Sequence, residues 1–235
     1  MARPLWLIDL DNTLVDASWR VMGEINRRMT AFMAERLAMS EHAATRLRQI
    51  YWHRYGATLL GLIRHHGVDP DEFLLRTHPM QELPQMVRRI PGAGHRIGRL
   101  NGERWLLTNA PRAYAHKMLR LLGLHRRFDR VIAIENMRIC GRLRPKPSAL
   151  LMRSVLRQSG RPARAVRLID DHGENLQAAH RLGMRTARIW TSKTALRQAR
   201  HSGRPLAVRR PSYVRVQVNC VAHLLRVQHL HSTTA

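Results

Sequence analysis

The stretch Leu5-Trp6-Leu7-Ile8, running directly into Asp9-Leu10-Asp11-Asn12-Thr13-Leu14, constrains this chain more than any other. Four consecutive apolar residues that stop at acidic and turn-forming ones fit a buried strand ending at a site. In open α/β sheets, ligands bind outside the carboxyl ends of the strands. The reading therefore places Asp9 and Asp11 at such an end, two residues apart and able to share one divalent cation. An Asx-rich turn that merely closes a strand would give the same pattern, so this D-x-D by itself leaves both readings open.

The acid content sharpens the point. Only eight aspartates occur among 235 residues, and four of them are Asp9, Asp11, Asp170 and Asp171. The formal charge of +25 invites a role in neutralising nucleic-acid phosphates. Its texture speaks against a dedicated nucleic-acid surface: of 41 basic residues only Lys117, Lys146 and Lys193 are lysine, the arginines run the whole length without a block of five or six, and few aromatics interleave with them. A positive field would still speed the arrival of a small phosphorylated anion. Cys140 and Cys220 form neither a disulfide framework nor a metal knuckle, which points to a reducing cytosol. The N-terminus does not read as a signal peptide and no run of 18 uncharged apolar residues follows, so the expectation is a soluble, cytoplasmic protein without a membrane partner.

Length suits one domain, or one domain carrying an insertion. Apolar spacing predicts a helix over 17 to 38, a second over about 40 to 54 capped by Ser40, and a third over 58 to 66 closed by Gly67. Asp69-Pro70-Asp71-Glu72 supplies an N-cap and a first-turn proline for a fourth. From 15 to about 90 no strand is evident. Beyond 100 the pattern becomes βαβ, with strands expected at Arg104 to Thr108, Val131 to Ile134, Ala165 to Ile169, Arg185 to Trp190 and Tyr213 to Val218. Helices are expected near 112 to 122, 148 to 159 and 174 to 182, with Gly123, Gly160 and Gly183 as C-terminal caps. Residues 191 to 211 read as an exposed basic loop, and 219 to 227 as a short final helix. The predicted organisation is an α/β core of residues 1–14 and 91–235, with a helical domain over 15–90.

Four polar clusters then fall at or soon after predicted strand ends: Asp9 and Asp11, Thr108-Asn109, Arg144-Pro145-Lys146-Pro147, and Asp170-Asp171. Singly, each has a plain structural reading, as a helix cap or a surface charge. In this order and strand context they resemble the four motifs of the haloacid dehalogenase superfamily. The resemblance covers nearly the whole chain. It implies a Rossmann-like parallel-sheet core with a small all-helical (C1-type) cap inserted after the first strand. Tyr55-Gly56-Ala57-Thr58-Leu59-Leu60-Gly61-Leu62, Thr108-Asn109-Ala110-Pro111 and Arg144-Pro145-Lys146-Pro147 are similar to the pyrimidine 5'-nucleotidase branch.

The resemblance assigns roles that elementary chemistry supports. Asp9 would attack a phosphoryl group to give an aspartyl-phosphate, and Asp11 would serve as acid and then base. Members that displace halide lack the second aspartate, so Asp11 favours phosphoryl transfer. A hard cation such as Mg²⁺ would relieve repulsion between carboxylates and a phosphate dianion. By resemblance its ligands are Asp9, the Asp11 backbone carbonyl and one of Asp170 and Asp171, with Asp171 favoured and Asp170 and Asn175 holding metal-bound waters. Thr108, the following Asn109 N–H and Lys146 would hold the phosphoryl oxygens. Asp170-Asp171-His172 departs from a more usual Glu-Asp followed by a small hydroxyl residue, and His172 is expected to face solvent. A cap of this size suits a small phosphorylated metabolite, and Tyr55 and Thr58 are the candidates for touching its leaving group. The expected activity is Mg²⁺-dependent hydrolysis of a pyrimidine nucleoside 5'-monophosphate. Two alternatives stand beside it: a sugar-phosphate or phosphoglycolate phosphatase, and a basic nucleic-acid-binding protein on a phosphatase-like fold.

Overall fold

The computed structural model describes residues 3–88, 93–190 and 210–218. They fall into two compact units, one up to Asp16 and from Arg88 onward, the other Ala17–Val87. The expected final helix and nearly all of the expected 191 to 211 loop lie outside the described residues, as does Cys220.

The first unit is a six-stranded parallel sheet in the order β3-β2-β1-β6-β7-β8. Its strands are β1 (Leu5–Ile8), β2 (Glu103–Leu107), β3 (Arg130–Ile132), β6 (Val166–Asp170), β7 (Arg185–Ile189) and β8 (Val216–Val218). All six expected strands are present. The all-apolar β1 is paired on both edges and all four of its residues are fully buried, because a central parallel strand is covered on both faces. Alternation sends Leu5 and Leu7 into a core with Leu107, Met152, Val155, Leu168 and Leu176, and Trp6 and Ile8 to the opposite face. The crossover helices are α7 (Arg112–Leu122), α8 (Ala149–Ser159) and α9 (Gly173–Arg181). Gly123 and Gly160 take the left-handed conformation at two of their ends. Gly183 instead follows the cap residue Leu182 by one position. A two-residue antiparallel pair, β4 (Arg138–Ile139) with β5 (Arg142–Leu143), was not expected. Cys140 and Gly141 turn between them with positive φ, 50° and 72°. The short α6 (Ala93–Gly98) was also unforeseen.

The second unit is all helix among the described residues: α1 (Val21–Arg36), α2 (Glu41–Tyr55), α3 (Thr58–His66), α4 (Pro70–Thr77) and α5 (Leu83–Met86). The all-helical insertion after the first strand is thus as expected. The first helix begins at Val21 rather than 17, since residues 17–20 form a turn. Ser40 Oγ accepts from the Ala43 N–H and an Asp69 carboxylate oxygen from the Glu72 N–H, which satisfies one orphan donor at each helix start. Phe32 and Phe73 meet edge to face at 5.3 Å. Gly61 lets α3 lie directly on the Tyr51 ring of α2.

Candidate active site

The site is built at the carboxyl ends of β1, β2 and β6. The Asp9 N–H donates to the Ile169 carbonyl at 3.0 Å, extending the β1–β6 ladder by one bond beyond the strand. The chain then turns sharply. Asn12 has φ 61°, and the N–H groups of Thr13, Leu14 and Val15 all point at the Leu10 carbonyl. Buried Leu10, Leu14 and Val15 anchor this turn, so Asp9 and Asp11 are presented by a rigid corner.

Thr108 follows β2, is buried, and accepts the Ala110 N–H on its hydroxyl oxygen at 3.1 Å, which leaves its own proton to donate. Asn109 spends its side chain elsewhere. Its amide nitrogen donates to the Lys146 carbonyl at 3.0 Å while its oxygen accepts the Lys146 N–H at 2.9 Å. Lys146 arrives just after the β4–β5 pair, and the Lys146-Pro147 peptide is cis. Its Nζ lies 2.7 Å from an Asp9 oxygen and 2.8 Å from Asp170 Oδ2, with the side chain almost wholly buried. An ammonium has three donors, so two go to carboxylates and one is left.

Asp170 ends β6, fully buried. Its Oδ1 accepts the His172 N–H at 2.8 Å, and Asn175 Nδ2, from the first turn of α9, reaches both carboxylate oxygens at 2.9 and 3.0 Å. Asp171 is buried beside it, and His172 is half-buried at the N-cap of α9. Carboxylate oxygens of Asp9, Asp170 and Asp171 all lie within 4.8 Å of one another.

The electrostatics follow. Burial, reinforced by Asp170 and Asp171, raises the Asp9 carboxyl well above its usual range despite Lys146. Burial works against the Lys146 ammonium, but Asp170 and Asp9 outweigh it and hold it protonated. The carboxyl groups of Asp9, Asp170 and Asp171, of which Lys146 bonds two, bring hard oxygen donors together in a buried place, the setting in which a divalent cation such as Mg²⁺ fits.

Two neighbours escaped the sequence reading. Tyr114 of α7, fully buried, donates its phenol hydrogen to Asp11 Oδ1 at 2.7 Å. Burial, then Asp11, raises its pKa far above normal, so it remains a donor. Arg188 of β7 pairs in register with Asp170 and is buried. Burial lowers its pKa, and Tyr213, Asp171 and Asp170 act in the opposite sense. An aromatic or an arginine in an amphipathic element reads as core or surface, so neither had a signal of its own. Thr58 and Tyr55 belong to the helical unit: Thr58 is buried and donates to the Arg48 carbonyl at 3.2 Å, and the Tyr55 hydroxyl lies 2.6 Å from His65 Nε2.

Residues 5–183 match the model of the haloacid dehalogenase-like hydrolases. The chain belongs to that family. Among curated proteins, this haloacid dehalogenase-like hydrolase is 27% identical over 199 residues to Phosphate metabolism protein 8 of Saccharomyces cerevisiae. The match takes in 78% of this chain and spans 60% of the yeast protein's length. Among solved structures it is similar to an HAD phosphatase from Thermococcus onnurineus, with a TM-score of 0.63 at 15% identity, covering 96% of this chain and 97% of that one. It is also similar to L-2-haloacid dehalogenase of Xanthobacter autotrophicus with chloropropionic acid covalently bound, with a TM-score of 0.56 at 18% identity, covering 97% and 99%. At such identities the likeness is one of fold, and the fold carries both chemistries. No described helix is long and apolar enough to cross a membrane.

Proposed function

We propose that this chain is a Mg²⁺-dependent phosphomonoesterase working through an aspartyl-phosphate on Asp9. The observation that carries the reading is Asp11, a second carboxylate two residues from Asp9 and held by the Tyr114 hydroxyl. Displacement of a halide needs a nucleophile but no group to protonate a leaving oxygen, whereas phosphoryl transfer from an ester needs both.

In this mechanism an Asp9 oxygen attacks phosphorus in line and the ester oxygen leaves with a proton from Asp11. Asp11 then takes a proton from the water that hydrolyses the acyl phosphate. The Thr108 hydroxyl, the Asn109 N–H and the remaining Lys146 donor hold the phosphoryl oxygens as charge redistributes. A divalent cation held by Asp9, Asp171 and the Asp11 carbonyl would offset the charge of substrate and carboxylates. Asp170, whose two oxygens already accept from Lys146, Asn175 and the His172 N–H, orients this set rather than binding the ion directly.

The substrate class is a small phosphate monoester, and a pyrimidine nucleoside 5'-monophosphate is favoured by the likeness of residues 55–62, 108–111 and 144–147 to that branch. The yeast relative's name, Phosphate metabolism protein 8, agrees with a phosphate ester as substrate. The deciding experiment measures phosphate release from a panel of monoesters with and without Mg²⁺, using wild type and Asp9→Asn. UMP and CMP should be preferred, turnover should need the cation, and Asp9→Asn should be inactive yet folded. Preference for phosphoglycolate or a sugar phosphate would sink the nucleotide assignment, and turnover by Asp9→Asn would sink the mechanism.

A further inference from the structure

The opposite end of the sheet carries a second concentration of charge. Register places Trp6 of β1 beside Arg167 of β6, and Arg167 beside Arg185 of β7. In a parallel sheet such partners point to the same face. This face is opposite to that of Leu5 and Leu7, and the row lies near the amino ends of the strands. Arg167 is three residues before Asp170, about 10 Å along β6 from the catalytic end. Arg215 comes in beside them from the approach to β8, its N–H bonded to the Thr186 carbonyl.

Arg167 is half-buried, with its guanidinium stacked 4.8 Å over the Trp6 ring. Its Nε and Nη1 are buried and make no hydrogen bond, an arrangement that costs free energy unless something accepts from them. Burial, and after it Arg185 and Arg215, lower its pKa to about 10. Burial and Arg215 depress Arg185 too. A fourth arginine, Arg104, the register partner of Trp6 on β2, has the Asp129 carboxylate 3.6 Å from its Nε, whereas no carboxylate pairs with Arg167, Arg185 or Arg215 among the described residues. The sequence offers none further on, for no Asp or Glu follows Glu174. Three like charges and two buried donors with no carboxylate paired to them among the described residues leave a place that a negative group would stabilise.

We propose that Arg167, Arg185 and Arg215 form a binding site for a small multiply charged oxyanion of the phosphate type, separate from the catalytic carboxylates. Planar guanidinium forks suit the oxygens of a phosphate, and one dianion would answer the unpaired donors and the mutual repulsion together. The site does not depend on the proposed activity.

The test is thermal unfolding of the metal-free full chain in orthophosphate, sulfate or chloride at matched ionic strength, for wild type, Arg185→Gln/Arg215→Gln and Arg167→Lys. Millimolar orthophosphate should raise the wild-type midpoint by about 3 °C, and sulfate should act in the same direction while chloride should not. The double variant should lose the response while its anion-free midpoint stays level or rises, because like charges have been removed. Arg167→Lys, which keeps charge but not the fork, should respond weakly. Equal response to chloride, or an undiminished response in the double variant, would mean a solvated basic face only and overturn the proposal. An oligoribonucleotide that binds and is not displaced by orthophosphate would also overturn it, in favour of a polymeric partner.

Discussion

Asn109 grips the backbone of Lys146 with both ends of its carboxamide, donating to the carbonyl at 3.0 Å and accepting the N–H at 2.9 Å. The ammonium that bridges Asp9 and Asp170 therefore stands on a two-point mount supplied from the end of another strand. Asn109→Ala removes both bonds, a loss of about 2 kcal/mol in stability. A displacement of the lysine by an ångström would lower kcat by about 100-fold. Steady-state kinetics and urea denaturation of the one variant measure both, and unchanged kcat would show that the mount is not needed for turnover.

The Tyr114 hydroxyl gives a separable prediction. Tyr114→Phe keeps the buried ring and deletes only the donor to Asp11. A hydrogen bond to a charged group is worth about 1.5–3 kcal/mol, so kcat should fall by about 10-fold or more with KM little changed. An equal rise in KM instead would assign the tyrosine to substrate binding.

Packing in the helical unit can be tested at Gly61. A Cβ there would come within 2.3–2.7 Å of three atoms of Tyr51, whose hydroxyl is tied to His66 at 2.7 Å. Gly61→Ala should cost about 1–3 kcal/mol through overpacking. Calorimetry would detect it as a lowered midpoint. Relief by Gly61→Ala/Tyr51→Ala would identify the ring as the obstacle.

His78, in the same unit, sets a pH dependence. It is buried with Nδ1 2.9 Å from the Leu74 carbonyl, and burial depresses its pKa to about 4 from 6.5. Below pH 6.5 the unfolded chain takes up a proton that the folded one refuses, so stability falls as the pH drops towards 4 and then levels, by about 3 kcal/mol in all. Urea midpoints across this range for wild type and His78→Gln isolate the effect. Parallel curves would rule it out.

The six strands and the four polar clusters were legible because each lies in a short stretch bounded by turn or cap residues. The apolar run of β1 is the plainest case, since a strand buried on both faces needs no alternation. What was not legible depends on distant partners. Asn109 finds Lys146 across 37 residues and Tyr114 finds Asp11 across 103, and no local pattern marks either. The β4–β5 pair has two residues on each side, too few for a period to register. Asp170 and Asp171 were recognised as a pair, but the division of labour between them became arguable only from the four contacts that occupy Asp170.

The bond from the Asp9 N–H to the Ile169 carbonyl also orders events during synthesis. Both neighbours of β1 lie far downstream of Asp9, β2 at Glu103–Leu107 and β6 at Val166–Asp170. Until β6 leaves the ribosome, the most apolar strand among those described has an open edge and Asp9 has neither Asp170 nor Asp171 beside it. Such long-range pairing slows folding and leaves sticky edges exposed. Asp9 is therefore made long before the strand that brings Asp170 to it, and in that interval the open edge of β1 most needs protection from other chains.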